Sequence, residues 1–335
     1  MLYLKVPRSE AESVRRKLMS EGILSPGYEI IKEGAFVCFP VSKKYGDYET
    51  LEIEGQERIS PPARLKDALA GLLTGPELES FIGSFDILGD IAVVEIPEGL
   101  EPKEKEIGAA LLQVHKNLRT VLKKLGGMEG EFRVRRFACI AGENRTETVY
   151  RESGLKMRLD LAKVYFSPRL ATERSRIAEL TKNGERVLVL FAGVGPFALA
   201  IAKQKPETKI TAVELNPEAV RYMKENIALN KAGNVEAIEA DARTLAFRDE
   251  FDRVIMPLPK SAHEFLGVAF AAAKDGATVH FYTIADSKDA FNEAAVKAKE
   301  AAEKSKTGIK IMSQRIVRPY SPSRVQVVLD IEIKK

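Results

Sequence analysis

The chain has 335 residues, 45% of them hydrophobic and 30% charged, with a formal net charge of +4. This composition excludes a disordered polypeptide, and no apolar run approaches the ~20 residues that a helix needs to cross a bilayer. Two isolated cysteines, Cys38 and Cys139, and three scattered histidines, His115, His263 and His280, lack metal-ligand spacing, so no metal is expected. The length suggests two or three domains. The opening residues lack the apolar core of a secretion signal, which points to a cytoplasmic protein. Abundant Lys and Glu without Trp is a composition that thermophiles favour.

In chain order, Leu2 to Val6 reads as a strand and Ser9 to Met19 as a helix opened by a Ser9/Glu12 capping box. Glu29 to Ile31 and Ala35 to Val41 read as a hairpin. The stretch KKYGDYETLEIEGQERISPPARL, with Pro61 and Pro62, reads as an exit linker. A small α+β domain over residues 1–65 follows from these elements.

A middle α+β domain is expected over residues 75–166. Ile87, Ile91, Val93 and Val94 mark strands, and a long helix is expected from Pro102 to Leu125, stopped by Gly126 and Gly127. Lys116, Arg119, Lys123 and Lys124 then sit in its last turns, where a basic cluster suits RNA and the helix dipole equally. The segments GEFRVRRFACIAGENRTETVYRE and GLKMRLDLAKVYFSP alternate Arg with aromatic residues, a pattern for strands with a basic face.

Over residues 167–335, helices and strands alternate as in a doubly wound α/β domain. The strands read as Arg186 to Phe191, Lys209 to Glu214, Val235 to Glu239, Arg253 to Met256 and Ala277 to Thr283. Ile309 to Val317 and Val325 to Ile333 then close the sheet as an antiparallel edge hairpin.

The stretch VLVLFAGVGPFALAIA runs an apolar strand through Phe191 and Ala192 into Gly193 and Gly195, then into a helix opened by Pro196. Glycines admit a ligand close to the backbone, and the helix start offers free N–H groups. Glu214 ends the next strand, about twenty residues on, where a carboxylate can accept ribose hydroxyls, with Asn216 just beyond it. Asp241, followed by Ala242, ends the third strand where an adenine amino group can be read. Together with the hairpin edge, these favour a Rossmann-like class I methyltransferase using S-adenosylmethionine over a dehydrogenase. After the fourth strand, Pro257-Leu258-Pro259-Lys260 stands where methyltransferases of planar nitrogen carry an Asn/Asp-Pro-Pro-Tyr type loop.

The motifs GEFRVR, AGENRT, DLAKVYFSPRLATERSRI, LFAGVGPF and PLPK, in this order, resemble the archaeal and eukaryotic tRNA (guanine-37-N1)-methyltransferases over essentially the whole chain. The resemblance implies an N-terminal domain that touches the outer corner of tRNA, a middle RNA-binding domain and a catalytic domain. It implies that Arg133 contacts guanine O6, that Glu173 is the general base at N1 and that Tyr165 shapes the base pocket. The residues alone favour Glu173 in ion pairs with Arg169 and Arg176, one turn to either side. Two positions depart from the family pattern: Val189 replaces an acidic residue before the glycine turn, and Pro257 replaces Asn. The second departure is shared with an archaeal subgroup that also methylates the wyosine precursor 4-demethylwyosine at C7, so dual activity at position 37 is expected. The alternatives are an aminocarboxypropyltransferase acting on the same precursor, and a non-catalytic tRNA-binding protein. A monomer is the expected state.

Overall fold

The computed structural model describes residues 1–55, 64–81 and 85–335 and divides into two compact units, Met1–Thr74 and Gly75–Lys335. The expected boundary near residue 166 falls inside the second unit.

The first unit contains β1 (Leu2–Pro7), α1 (Ala11–Ser20), β2 (Ile31–Glu33), β3 (Phe36–Val41), β4 (Thr50–Glu52) and α2 (Leu65–Leu69). Its sheet has the order β2-β3-β1-β4, antiparallel throughout. Leu4 and Val6 of β1 pack with Phe39 against Val14 and Leu18 of α1. Two expectations change. The Ser9/Glu12 capping box does not form: Glu10 is the N-cap and makes no side-chain cap bond, while Glu12 pairs with Arg15 and Arg16. Part of the expected linker is β4, whose residues Thr50–Glu52 pair with β1. Pro61 and Pro62 lie outside the described residues.

The second unit opens with α3 (Gly75–Phe81), then the antiparallel pair β5 (Phe85–Leu88) and β6 (Ile91–Val94), α4 (Glu104–Val114), β7 (Thr120–Glu129) and β8 (Val134–Gly142). The expected helix from Pro102 to Leu125 is half helix and half strand. β6 is buried along its whole length, and β7 supplies its parallel partner after the α4 crossover. Strand pairing on both sides of β7, to β6 and β8, overrides the local helical pattern. Lys123 and Lys124 therefore stand on a strand, paired with Glu104 and Glu95, and Gly126 and Gly127 lie within β7.

The hairpin of β9 (Glu147–Glu152) and β10 (Leu155–Asp160) precedes α5 (Ala171–Leu180). There follow β11 (Arg186–Leu190), α6 (Pro196–Gln204), β12 (Lys209–Glu214), α7 (Pro217–Leu229), β13 (Val235–Glu239), β14 (Phe251–Met256), α8 (Leu266–Ala272), β15 (Ala273–Asp286), α9 (Ala290–Ser305), β16 (Gly308–Ser321) and β17 (Arg324–Lys334). The seven-stranded sheet has the order β13-β12-β11-β14-β15-β17-β16; β13 to β15 are parallel, and β17 runs antiparallel between β15 and β16. This is the Rossmann-like arrangement with the expected hairpin edge. Val187 and Val189 face one core, and Leu188 and Leu190 the other, as in a sheet covered on both sides.

Two asparagines one turn apart, Asn226 in α7 and Asn230 at its C-cap, fasten the β9–β10 hairpin. Asn226 accepts from Arg158 N at 2.7 Å and donates to Arg158 O and Val194 O. Asn230 exchanges the same pair of bonds with Lys156. Each amide imitates a neighbouring strand, which satisfies the open edge of β10.

Candidate active site

A cavity of about 270 Å³ opens at the C-terminal ends of β11, β12 and β13, beside the point where strand order reverses between β12 and β14. β11 delivers the chain into Phe191, whose φ of 55° is left-handed. A bulky residue held there is strained backbone of the kind that gathers at functional sites. Its ring meets Phe265 edge-on at 4.8 Å. Gly193 and Gly195 also have positive φ, and Gly195 is the N-cap of α6.

Glu214 holds the turn together. Its Oε2 accepts from Gly193 N at 2.8 Å, and its Oε1 accepts from Leu215 N and Asn216 N. A carboxylate has about four acceptor positions, so one remains for a ligand. Asn216 caps α7 through Glu218 N and donates to Lys163 O, which ties the 160s segment to the sheet. Arg243 embraces both oxygens of Asp241 and, together with the Arg243 backbone N–H, holds its carboxyl below the usual range.

Of the residues expected to bind cofactor, Phe191, Gly193, Glu214, Asn216, Asp241 and Ala242 line this cavity. Ala192 and Gly195 do not; Ala192 is buried and its N–H is bonded to Val213 O. Of the expected substrate residues, Tyr165, Pro257 and Leu258 line it, whereas Pro259 faces away, its carbonyl accepting from Ile284 N. Arg133 lines it and Glu173 does not. The sequence reading missed Glu131, Phe132, Arg243 and Phe265. Only the pattern GEFR, in which Glu131 and Phe132 directly precede the named Arg133, hinted at the first two.

Arg133 and Tyr165 also line a second cleft of about 340 Å³ that adjoins the first. Lys124, Arg135, Arg169 and Arg318 bring positive charge to it, and Phe137, Phe166 and Tyr320 bring aromatic rings. Arg169 is neutralised by Asp86. Among the described residues, Arg133, Arg135 and Arg318 have no carboxylate partner. Unpaired guanidiniums beside aromatic faces form a surface for a single-stranded polyanion.

Glu173 is 3% exposed, on α5. Arg176 grips both of its oxygens, and Tyr282 Oη donates to Oε1 at 2.6 Å. The expected pair with Arg176 therefore forms, but inside the protein; Arg169 pairs with Asp86 instead. Burial, reinforced by the Glu173 charge, raises the Tyr282 hydroxyl well above its ordinary range, so it stays a donor. Among the described residues, no group of three His, Cys, Asp or Glu side chains is placed to hold a metal, and no helix is long and apolar enough to cross a membrane.

Residues 148–311 match the TRM5/TYW2 methyltransferase domain, residues 65–146 the TYW2 N-terminal domain and residues 4–49 the tRNA methyltransferase 5 N-terminal domain. The chain is 42% identical to the tRNA (guanine(37)-N(1))-methyltransferase Trm5b of Pyrococcus abyssi, over 99% of each protein. It is 31% identical to the tRNA (guanine(37)-N(1))/4-demethylwyosine(37)-methyltransferase Taw22 of Nanoarchaeum equitans, over 75% of this chain and 96% of that protein. Among solved structures, an aTrm5–tRNALeu complex superposes with a TM-score of 0.79 at 33% identity, covering 100% of both chains. Methanocaldococcus jannaschii Trm5 in complex with adenosine superposes with a TM-score of 0.68 at 30% identity, again over 100% of both. With likeness of this extent along its full length, the chain belongs to the TRM5 family of tRNA (guanine(37)-N(1))-methyltransferases.

Proposed function

We propose that this protein transfers a methyl group from S-adenosylmethionine to N1 of guanosine 37 of tRNA. The observation that carries this reading is the junction of the two clefts: a nucleoside-sized cavity with a glycine turn, Glu214 and Asp241 meets a cationic, aromatic cleft at Arg133 and Tyr165. The cofactor fits the first cavity because Glu214 keeps an acceptor position free for a ribose hydroxyl and the positive-φ Gly193 brings backbone close to the ligand. When bound, S-adenosylmethionine supplies a methyl carbon on a sulfonium, whose C–S bond breaks as the C–N1 bond forms, with the electron pair left on sulfur.

Guanine N1 carries a proton and gains a usable lone pair only as that proton leaves. Glu173 accepts it, and the Arg133 guanidinium, at the mouth of both clefts, stabilises the negative charge that grows on O6. Glu173 is buried and does not line the cavity, so contact with the base requires side chains around it or the Glu173 carboxylate to move. Tyr165 offers an aromatic face for the flipped base, and the Arg135–Arg318 side of the cleft receives the flanking phosphates. A tRNA-modifying role supports a cytoplasmic location.

The test is incubation of unmodified phenylalanine tRNA with methyl-labelled S-adenosylmethionine, followed by digestion and nucleoside identification. Labelled 1-methylguanosine supports the proposal, and its absence ends it. Pro257 favours a second reading, methylation of 4-demethylwyosine at C7, because this loop head carries neither a side-chain amide nor an N–H with which to select guanine. The same assay on tRNA carrying that precursor decides it.

A further inference from the structure

Glu173 stands at one end of a buried chain of charged and polar groups that crosses from α5 over β15 and β17. Arg176 presents Nε and Nη2 to Glu173, and Nη1 and Nη2 to Asp330 at 2.8 and 3.3 Å. Asp330 also accepts from Ser313 Oγ at 2.7 Å and lies 2.6 Å from His280 Nδ1. His280 Nε2 is 2.6 Å from Arg253 Nη1, and Arg253 is paired with Glu185. This geometry follows from strand register. Asp330 is the cross-strand partner of His280, and Tyr282 is two residues farther along the same face of β15.

Burial lowers the affinity of His280 for a proton, despite Asp330 beside it. A neutral ring with its N–H on Nδ1 fits both contacts, since Nε2 then accepts from Arg253. Asp330 is ionised: burial opposes this, but bonds from His280, Arg176 and Ser313 outweigh it and hold its carboxyl well below the usual range. Arg253 cancels Glu185, and Arg176 alone faces both Glu173 and Asp330, so the cluster keeps one net negative charge shared by those two carboxylates. Other charges near Glu173 add little: Arg315 lies 3.9 Å away but is exposed, and Arg174 is committed to Glu152.

We propose that Asp330 is a positioning residue that holds the far side of Arg176, keeps that guanidinium shared between two carboxylates, and so orients Glu173 toward its role as base without giving it a full counter-charge. An Arg given wholly to Glu173 would hold it as a carboxylate and make it a poor base; shared, it fixes orientation while yielding half its charge. Tyr282 works in the opposite sense, since its hydroxyl favours the carboxylate. The proposal rests on Glu173 being the base.

The experiment measures the single-turnover rate of methyl transfer to unmodified tRNA against pH for wild type, Glu173→Gln, Asp330→Asn and Tyr282→Phe, with thermal unfolding and S-adenosylmethionine affinity as controls. Asp330→Asn removes a nearby negative charge and frees Arg176 for Glu173, so the acid limb should move down by about one pH unit and the plateau should fall. Tyr282→Phe removes a donor to the carboxylate, so its limb should move up. A purely structural role would lower rates without displacing the limbs in opposite directions. If Glu173→Gln is inactive and the limbs stay in place or move together, Asp330 has no such role while the base survives. If Glu173→Gln remains active, the base assignment and this proposal fall together. Should Asp330→Asn not fold, Asp330→Ser, which also removes the carboxylate, takes its place: a downward shift supports the shared-charge account, and an unmoved limb overturns it.

Discussion

The Arg133 guanidinium lies over the Tyr165 ring, 5.0 Å from its centroid, where the glycine-turn cavity meets the cationic cleft. The stack fixes the plane of a donor whose nearest other contact is the Met128 sulfur, and the Arg133 backbone is held at a φ of 53°. Arg133→Ala is expected to slow single-turnover methyl transfer by about a hundredfold, the usual cost of one donor to a developing oxyanion. Arg133→Lys keeps the charge but loses the fork and the stack, and should recover only part of the rate. Thermal unfolding of both variants should stay close to wild type, because Arg133 has no carboxylate partner among the described residues.

Asn226 is fully buried and completes three backbone bonds between α7, β10 and the glycine turn. Asn226→Ala leaves Arg158 N, Arg158 O and Val194 O without these partners, and should cost about 2 to 4 kcal/mol. Urea unfolding followed by circular dichroism measures this directly; a loss within error would show that water replaces the amide.

Gly195 has a φ of 89°, and a Cβ there would stand 3.0 Å from Met223 Cγ. Gly195→Ala therefore meets backbone strain and a tight contact at once, for an expected loss of about 1 to 3 kcal/mol. Because Gly195 caps α6 below the cavity, affinity for S-adenosylmethionine should fall with it, as read by titration calorimetry.

His280 predicts an acid-sensitive core. Burial holds its folded-state pKa below the ordinary imidazole value of 6.5, so as pH falls through 6.5 the unfolded chain binds a proton that the folded protein refuses. Stability from this group is complete above that pH and declines below it, down to the folded pKa, by up to about 1.4 kcal/mol per pH unit. His280→Gln should flatten the stability profile below pH 6.5. Asp330 adds a second, lower window: its depressed pKa stabilises the fold above the ordinary carboxylate range and is lost as pH falls through the folded value.

Pro257→Asn restores an amide at the head of the loop lining the cavity. If this position governs base choice, the variant should keep N1 methylation and lose transfer to tRNA carrying 4-demethylwyosine. Unchanged product ratios would assign base choice elsewhere.

The parts of this fold legible in the sequence are those built by short-range chemistry. β12 and β13 fall where apolar runs end in Glu214 and Glu239, and the glycine turn follows an apolar strand into a helix that Pro196 opens. Other elements were hidden by their partners. β7 carries residues that suit a helix, and it is a strand because the fully buried β6 needs a neighbour. β4 was hidden inside a polar, Gly-containing stretch and exists because β1 had an open edge.

The same division runs through the site. By itself the sequence located the glycine-turn cavity, since Gly193 and Asp241 follow strand ends and Glu214 closes one, and their conformations depend on residues at most a few positions away or on parallel neighbours of the same sheet. Only the tertiary structure decided the surroundings of Glu173. Arg176 is three residues from it, within sequence reach, but Tyr282 is 109 positions away, and the Asp330 that shares Arg176 lies 154 positions beyond that arginine. The setting of a buried carboxylate depends on every charge within a few ångströms, and those charges are assembled by the register of β15 against β17, which no local pattern encodes.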